Sequence, residues 1–156
     1  MRKYAVVVVA FVSLFAALRS LAADDQAKNE AVAKELRAFQ GTWRLDSKEE
    51  DGKKFSEEEI KDVIGTIDGS GKVSIRRGDE VIGAGTIKLD PTKKPKAIDV
   101  TFTEGRHKGL IALGIYEIDG EAFRVCIAID GGQRPEEFSA NSGSGRTIVV
   151  YKREKK

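Results

Sequence analysis

Residues 109–129 read Gly-Leu-Ile-Ala-Leu-Gly-Ile-Tyr-Glu-Ile-Asp-Gly-Glu-Ala-Phe-Arg-Val-Cys-Ile-Ala-Ile. Two runs rich in Ile, Val and aromatic residues flank Asp119-Gly120, a dipeptide that suits a two-residue type I′ hairpin turn, so the runs are antiparallel strand neighbours. Pairing across that turn puts Tyr116 opposite Phe123, Gly114 opposite Val125 and Ala112 opposite Ile127 on one face. The other face has Leu113 opposite Cys126, Ile115 opposite Arg124 and Ile111 opposite Ala128. Both faces are largely apolar, so neither simply faces water. A closed or nearly closed barrel covered on one side by a helix buries both, as does a sandwich with an added helix.

Outward from this hairpin the same grammar continues. Short runs rich in Val, Ile, Thr and aromatics alternate with Gly, Asp, Asn and Pro, placing strands at 42–49, 62–68, 71–77, 80–89, 97–104, 109–118, 121–129 and 146–152. Asp68-Gly69-Ser70-Gly71 and Gly78-Asp79 are short links of the hairpin kind. Residues 24–40 form a helix: Asp24 or Asp25 caps it, Val32, Leu36 and Phe39 share one face, and Gly41 ends it. That stripe is the expected cover for the sheet. The expected fold class is therefore all-β, a meander barrel of about eight antiparallel strands behind one N-terminal helix.

At the N-terminus, Met1-Arg2-Lys3 precedes an apolar run over residues 4–18 and the small residues Ser20-Leu21-Ala22-Ala23. This is the pattern of a signal peptide, residues 1–23, cut after Ala22 or Ala23, and the run is shorter than the roughly 20 residues a spanning helix needs. The expected destination is the periplasm or the exterior, with no stable membrane span after cleavage. Without residues 1–23 the 27 basic residues fall to 24 against 25 acidic ones, because Arg2, Lys3 and Arg19 leave with no acid. A net charge of −1 lacks the basic surplus that neutralises phosphates, which argues against nucleic acid as a partner. The remainder, a short helix and residues 41–156, is the size of one domain.

One His, one Cys and three Pro in 156 residues leave little catalytic or metal-binding inventory. His107 sits in a polar loop and Cys126 mid-strand in an apolar run, so a nucleophile–base pair is not expected. The acidic runs Glu57-Glu58-Glu59 and Glu136-Glu137 read as solvated surface, since glycosidase acids must converge across a cleft. Gly65, Gly69, Gly83 and Gly85 lack a following helix to cradle phosphate, and Asp68-Gly69-Ser70-Gly71 has too few acids for calcium. No cofactor is expected. Arg124, flanked by Phe123, Val125 and Cys126, must be paired or face a cavity. Glu117, diagonally across the hairpin, is its expected partner, and a barrel cup holding an anionic ligand is the alternative that makes Arg124 a ligand-binding residue. Asp90-Pro91-Thr92-Lys93-Lys94-Pro95-Lys96 reads as a stiff exposed turn able to touch an anionic surface.

Gly41-Thr42-Trp43 after a short helix and ahead of about eight strands resembles the lipocalin-like plan. That resemblance implies that Trp43 closes one end of the barrel beneath a cation from the chain's end, Lys152 or Arg153. A second resemblance spans about residues 36–153. Phe39-Gln40-Gly41-Thr42-Trp43, residues 85–99, Leu113-Gly114-Ile115-Tyr116, Arg124-Val125-Cys126 and Arg134-Pro135-Glu136-Glu137-Phe138 look like a family of small secreted, uncharacterised domains abundant in planctomycete bacteria. The resemblance implies export and a single β domain, and carries no site residue. The expected role is a non-enzymatic module holding a small apolar or anionic ligand. The alternative is a structural or protein-interaction domain of the cell envelope with a filled barrel.

Overall fold

The computed structural model describes residues 23–129 and 131–155. The expected signal peptide thus lies, apart from Ala23, outside the described residues. Helix α1 covers residues 23–39. It is followed by β1 (Gly41–Glu50), β2 (Lys53–Lys54), α2 (Glu57–Ile60), β3 (Val63–Ile67), β4 (Lys72–Arg77), β5 (Glu80–Asp90), β6 (Ala97–Gly105), β7 (Ile111–Ile118), β8 (Ala122–Ile129) and β9 (Arg146–Arg153). Strands β3 to β9 pair consecutively and antiparallel, β1 pairs with both β3 and β9, and the eight long strands close into a barrel. Closure removes every sheet edge except the two-residue β2, which hangs on the end of β1.

The hairpin itself departs from its expected register. Glu117 faces Arg124 and Tyr116 faces Val125, so the connection is the four residues 119–122. The Asp119 carboxylate accepts from the backbone N–H groups of Glu121 (3.0 Å) and Ala122 (2.9 Å), and its own N–H donates to the Ala122 carbonyl. This side-chain turn outcompetes the two-residue turn. The shift is two positions, and because side chains alternate with a period of two, every residue keeps its face.

Tyr116, Phe123 and Val125 point inward and join Trp43, Leu45, Ile67, Leu89, Ile98 and Tyr151 in the core. On the outer face Ile115, Cys126 and Ala128 are buried too. The expected cover for that face was α1, and the structure corrects this: the loop between β8 and β9 covers it. The Arg134 guanidinium anchors the loop by donating to the carbonyls of Ile98 (2.9 Å) and Gly114 (2.6 Å) and to Asp99 (2.6 Å). Pro135 is fully buried, and the Cys126 thiol meets the Ser139 carbonyl at 3.5 Å. Position 114 has no room for a side chain, since a Cβ there would lie 2.6 Å from the Cys126 carbonyl oxygen.

Helix α1 seals one end of the barrel instead. Phe39 packs edge-on against Tyr116 (5.3 Å) and Phe123 (5.0 Å). The last carbonyls of a helix lack intrahelical donors, and here the barrel supplies them. The Trp43 indole N–H donates to Phe39 (2.8 Å), and Arg153 donates to Ala38 (2.8 Å) and Gln40 (3.1 Å). The Arg153 guanidinium lies 4.0 Å from the Trp43 ring, so the cation over the indole is Arg153. Lys152 turns outward to Asp46 at 2.8 Å. Gly41, with φ of 136°, makes the approach possible, because a Cβ there would sit 2.8 Å from an Arg153 nitrogen.

Candidate functional site

The sealed end gathers the start of β1 and the end of β9, so their other ends, with the β4–β5 and β6–β7 turns, meet at the opposite mouth. There the interior is not filled. A cup of about 420 Å³ opens between the strands, walled by Val63, Ile75, Ile82, Phe102, Ile127 and Val149. Tyr151 lines its deeper part, and its ring stacks 5.0 Å from Phe123, which in turn stands 4.8 Å edge-on from Trp43. Burial pushes the Tyr151 hydroxyl up to about 12, so it stays neutral at physiological pH.

The segment between β1 and β3 runs beside the mouth. Acids 57–59, expected as plain surface, form the first turn of α2. Ser56 and Glu59 make a reciprocal cap, with the Glu59 carboxylate accepting from the Ser56 N–H at 2.8 Å. Ile60 is thereby held buried, and Phe55 lies beneath the Lys48 (4.3 Å) and Lys53 (4.6 Å) ammoniums.

Charge is concentrated at the rim. Glu50 accepts from Arg106 and pairs with Lys48 at 2.7 Å. Burial works to raise the Glu50 carboxyl, but the hydrogen bonds from Lys48 and Arg106 outweigh it and hold the group below the ordinary carboxylate range. The Arg106 Nε–H donates to His107 Nε2 at 2.7 Å, and the imidazole leans on Phe102 at 5.4 Å. Burial, and then the Arg106 charge, push the His107 imidazole down, consistent with a neutral ring that accepts. Across the mouth Arg77 donates to the Glu59 carbonyl at 2.8 Å. The arrangement is an apolar hollow with a few polar groups confined to its entrance.

The residues singled out in the sequence fall elsewhere. Arg124 does not line the cup. It lies on the outer face, paired with Glu117 at 2.8 Å and lying over Phe138 at 4.0 Å. Strand β8 puts Phe123, Val125 and Ile127 inward, so its neighbour Arg124 points out. His107 lines the mouth, whereas Cys126 is buried beneath Ser139 on the outside of β8, so the structure does not bring them together. Burial pushes the Cys126 thiol up, which keeps it protonated and unreactive. Asp68 is a turn residue, accepting from Ser70 and Lys72. Among the described residues no group of three or more His, Cys, Asp or Glu side chains is placed to hold a metal ion. The rim residues Lys48, Glu50 and Arg106 were not foreseen as a group. Comparison with family models, with curated proteins and with solved structures finds no match to this chain.

Proposed function

We propose that this protein is an exported, non-enzymatic module that holds one small, largely apolar molecule in the cup. The carrying observation is the half-filled barrel. One end is packed by Phe39, Trp43, Tyr116 and Phe123, while the other keeps a hollow of about 420 Å³, within the roughly 300–1,000 Å³ of small-molecule sites. Apolar walls favour an apolar body through desolvation. Lys48 and Arg106 at the entrance give an anionic end a place to pair, in exchange with Glu50. The basic start and apolar run of the first 18 residues support export, and we group the chain with the secreted planctomycete domains on the motifs quoted above. The packed lower half favours a second reading, a structural or protein-interaction domain of the envelope.

The two readings separate on titration with N-phenyl-1-naphthylamine, a neutral apolar fluorophore. The cup reading expects saturable one-to-one binding that Ile82→Trp, which fills the hollow, abolishes while the far-ultraviolet circular dichroism spectrum is kept. Absence of saturable binding by the wild-type protein, or undiminished binding by a folded Ile82→Trp variant, refutes it and leaves the envelope reading.

A further inference from the structure

A second concavity lies on the outer surface, away from the mouth of the cup. It is a cleft of about 460 Å³ between α1, the end of β5, the β5–β6 turn and the β8–β9 loop. Its floor is made of the buried residues Ala97, Ile115 and Pro135. Its walls carry Lys28 from α1, Lys88 from β5, Lys93 and Lys94 from the turn and Arg134 from the loop, so cations from four elements converge on one hollow.

Two of the three carboxylates lining it are already committed. Asp90 is held by Thr92 and pairs with Lys28 at 3.2 Å, and Asp99 pairs with Arg134 at 2.6 Å. Among the described residues, no hydrogen bond or ion pair engages the side chains of Lys88, Lys93, Lys94 or Glu136. Three ammoniums therefore face one carboxylate. Concave walls focus such a field and raise the local concentration of anions. The arrangement is poorly explained by stability, because lysines with no partner in one hollow repel one another.

We propose that this cleft binds a small organic phosphate monoester. The dianionic phosphate answers the surplus of lysines, which act on phosphate as point charges. The Ala97, Ile115 and Pro135 floor takes the apolar body beside it. Arg134, which also lines the cleft, is fixed by its three acceptors. The proposal is independent of the cup, since the two hollows share no residue.

Phenyl phosphate is the probe, titrated at low ionic strength into the purified protein and followed by amide chemical shifts. Saturable shifts centred on residues 88–99 and 133–136 are expected. The triple variant Lys88→Gln, Lys93→Gln, Lys94→Gln should weaken binding by about ten-fold or more, as losing several charge-assisted contacts requires. A control removing the same charge from three exposed lysines outside the cleft, Lys34→Gln, Lys108→Gln and Lys155→Gln, should leave it within about two-fold, the residue of long-range charge alone. Inorganic phosphate should bind more weakly than phenyl phosphate. Thermal melts establish that both triple variants are folded. No saturable shift, or equal weakening by the control triple, overturns the site. Equal binding of inorganic phosphate overturns the ester assignment.

Discussion

Replacing Trp43 with alanine tests the sealed end of the barrel, and its cost can be worked from the contacts. The indole is fully buried, stands 4.8 Å edge-on from Phe123, donates to the Phe39 carbonyl at 2.8 Å and lies 4.0 Å from the Arg153 guanidinium. Truncating a buried aromatic to alanine costs about 3–5 kcal/mol. The stranded helix-end carbonyl, at about 1 kcal/mol, and the lost cation–π contact, at about 0.5–2 kcal/mol, push the expectation to the upper part of that range. Out of a domain stability of about 5–15 kcal/mol, a loss of about 4–5 kcal/mol is roughly a quarter or more. Trp43→Phe keeps most of the apolar volume and loses the N–H donor and the stronger π face, so about 1–2.5 kcal/mol is expected. Urea unfolding should be followed by far-ultraviolet circular dichroism, because Trp43 is the one tryptophan and its fluorescence disappears with it. A loss below about 1 kcal/mol for Trp43→Ala, the size of an ordinary surface change, refutes the end-plug account. Equal costs for the alanine and phenylalanine variants refute the division between packing and hydrogen bonding.

Glu117 and Arg124 are 58% and 46% exposed, so a double-mutant cycle with Glu117→Gln and Arg124→Met should give a coupling of only about 0.2–1 kcal/mol. A coupling above about 2 kcal/mol, of the buried-pair size, contradicts the outward placement of Arg124. Arg134→Ala should release the β8–β9 loop and expose Cys126. An aromatic disulfide reagent should then modify the thiol about ten-fold faster or more, the factor expected when opening becomes easier by about 1.4 kcal/mol. Unchanged reactivity in a folded variant would show that the loop is held by something other than Arg134.

How far the chain discloses this structure depends on which property each element rests on. All eight long strands lie within two residues of the ranges read from alternation and turn chemistry, because those signals are local. The 109–129 hairpin shows how the same signal tolerates a change of turn: the connection is four residues where Asp119-Gly120 alone suggests two, yet the even shift leaves Tyr116 and Val125 inward and Arg124 outward. What alternation does not disclose is which of two apolar faces is concave. Ile115, Cys126 and Ala128 look as core-like as Tyr116, Phe123 and Val125, and only the loop anchored by Arg134 on distant carbonyls explains why. The rim was hidden by a similar cause. Trp43 and Leu45 point inward, so strict alternation would send Ser47 and Glu49 into the barrel. A bulge between Leu45 and Ser47 on the β9 side inserts one extra residue, after which Lys48 faces Val149 and Glu50 faces Thr147, both partners lining the cup. A single irregularity at Asp46 thus turns the strand from building the apolar plug at one end to presenting a charged entrance at the other. Because the bulge depends on how β1 meets β9, across about a hundred residues of chain, no window of local sequence contains it, and the charges that define the candidate site become visible only once the barrel has closed.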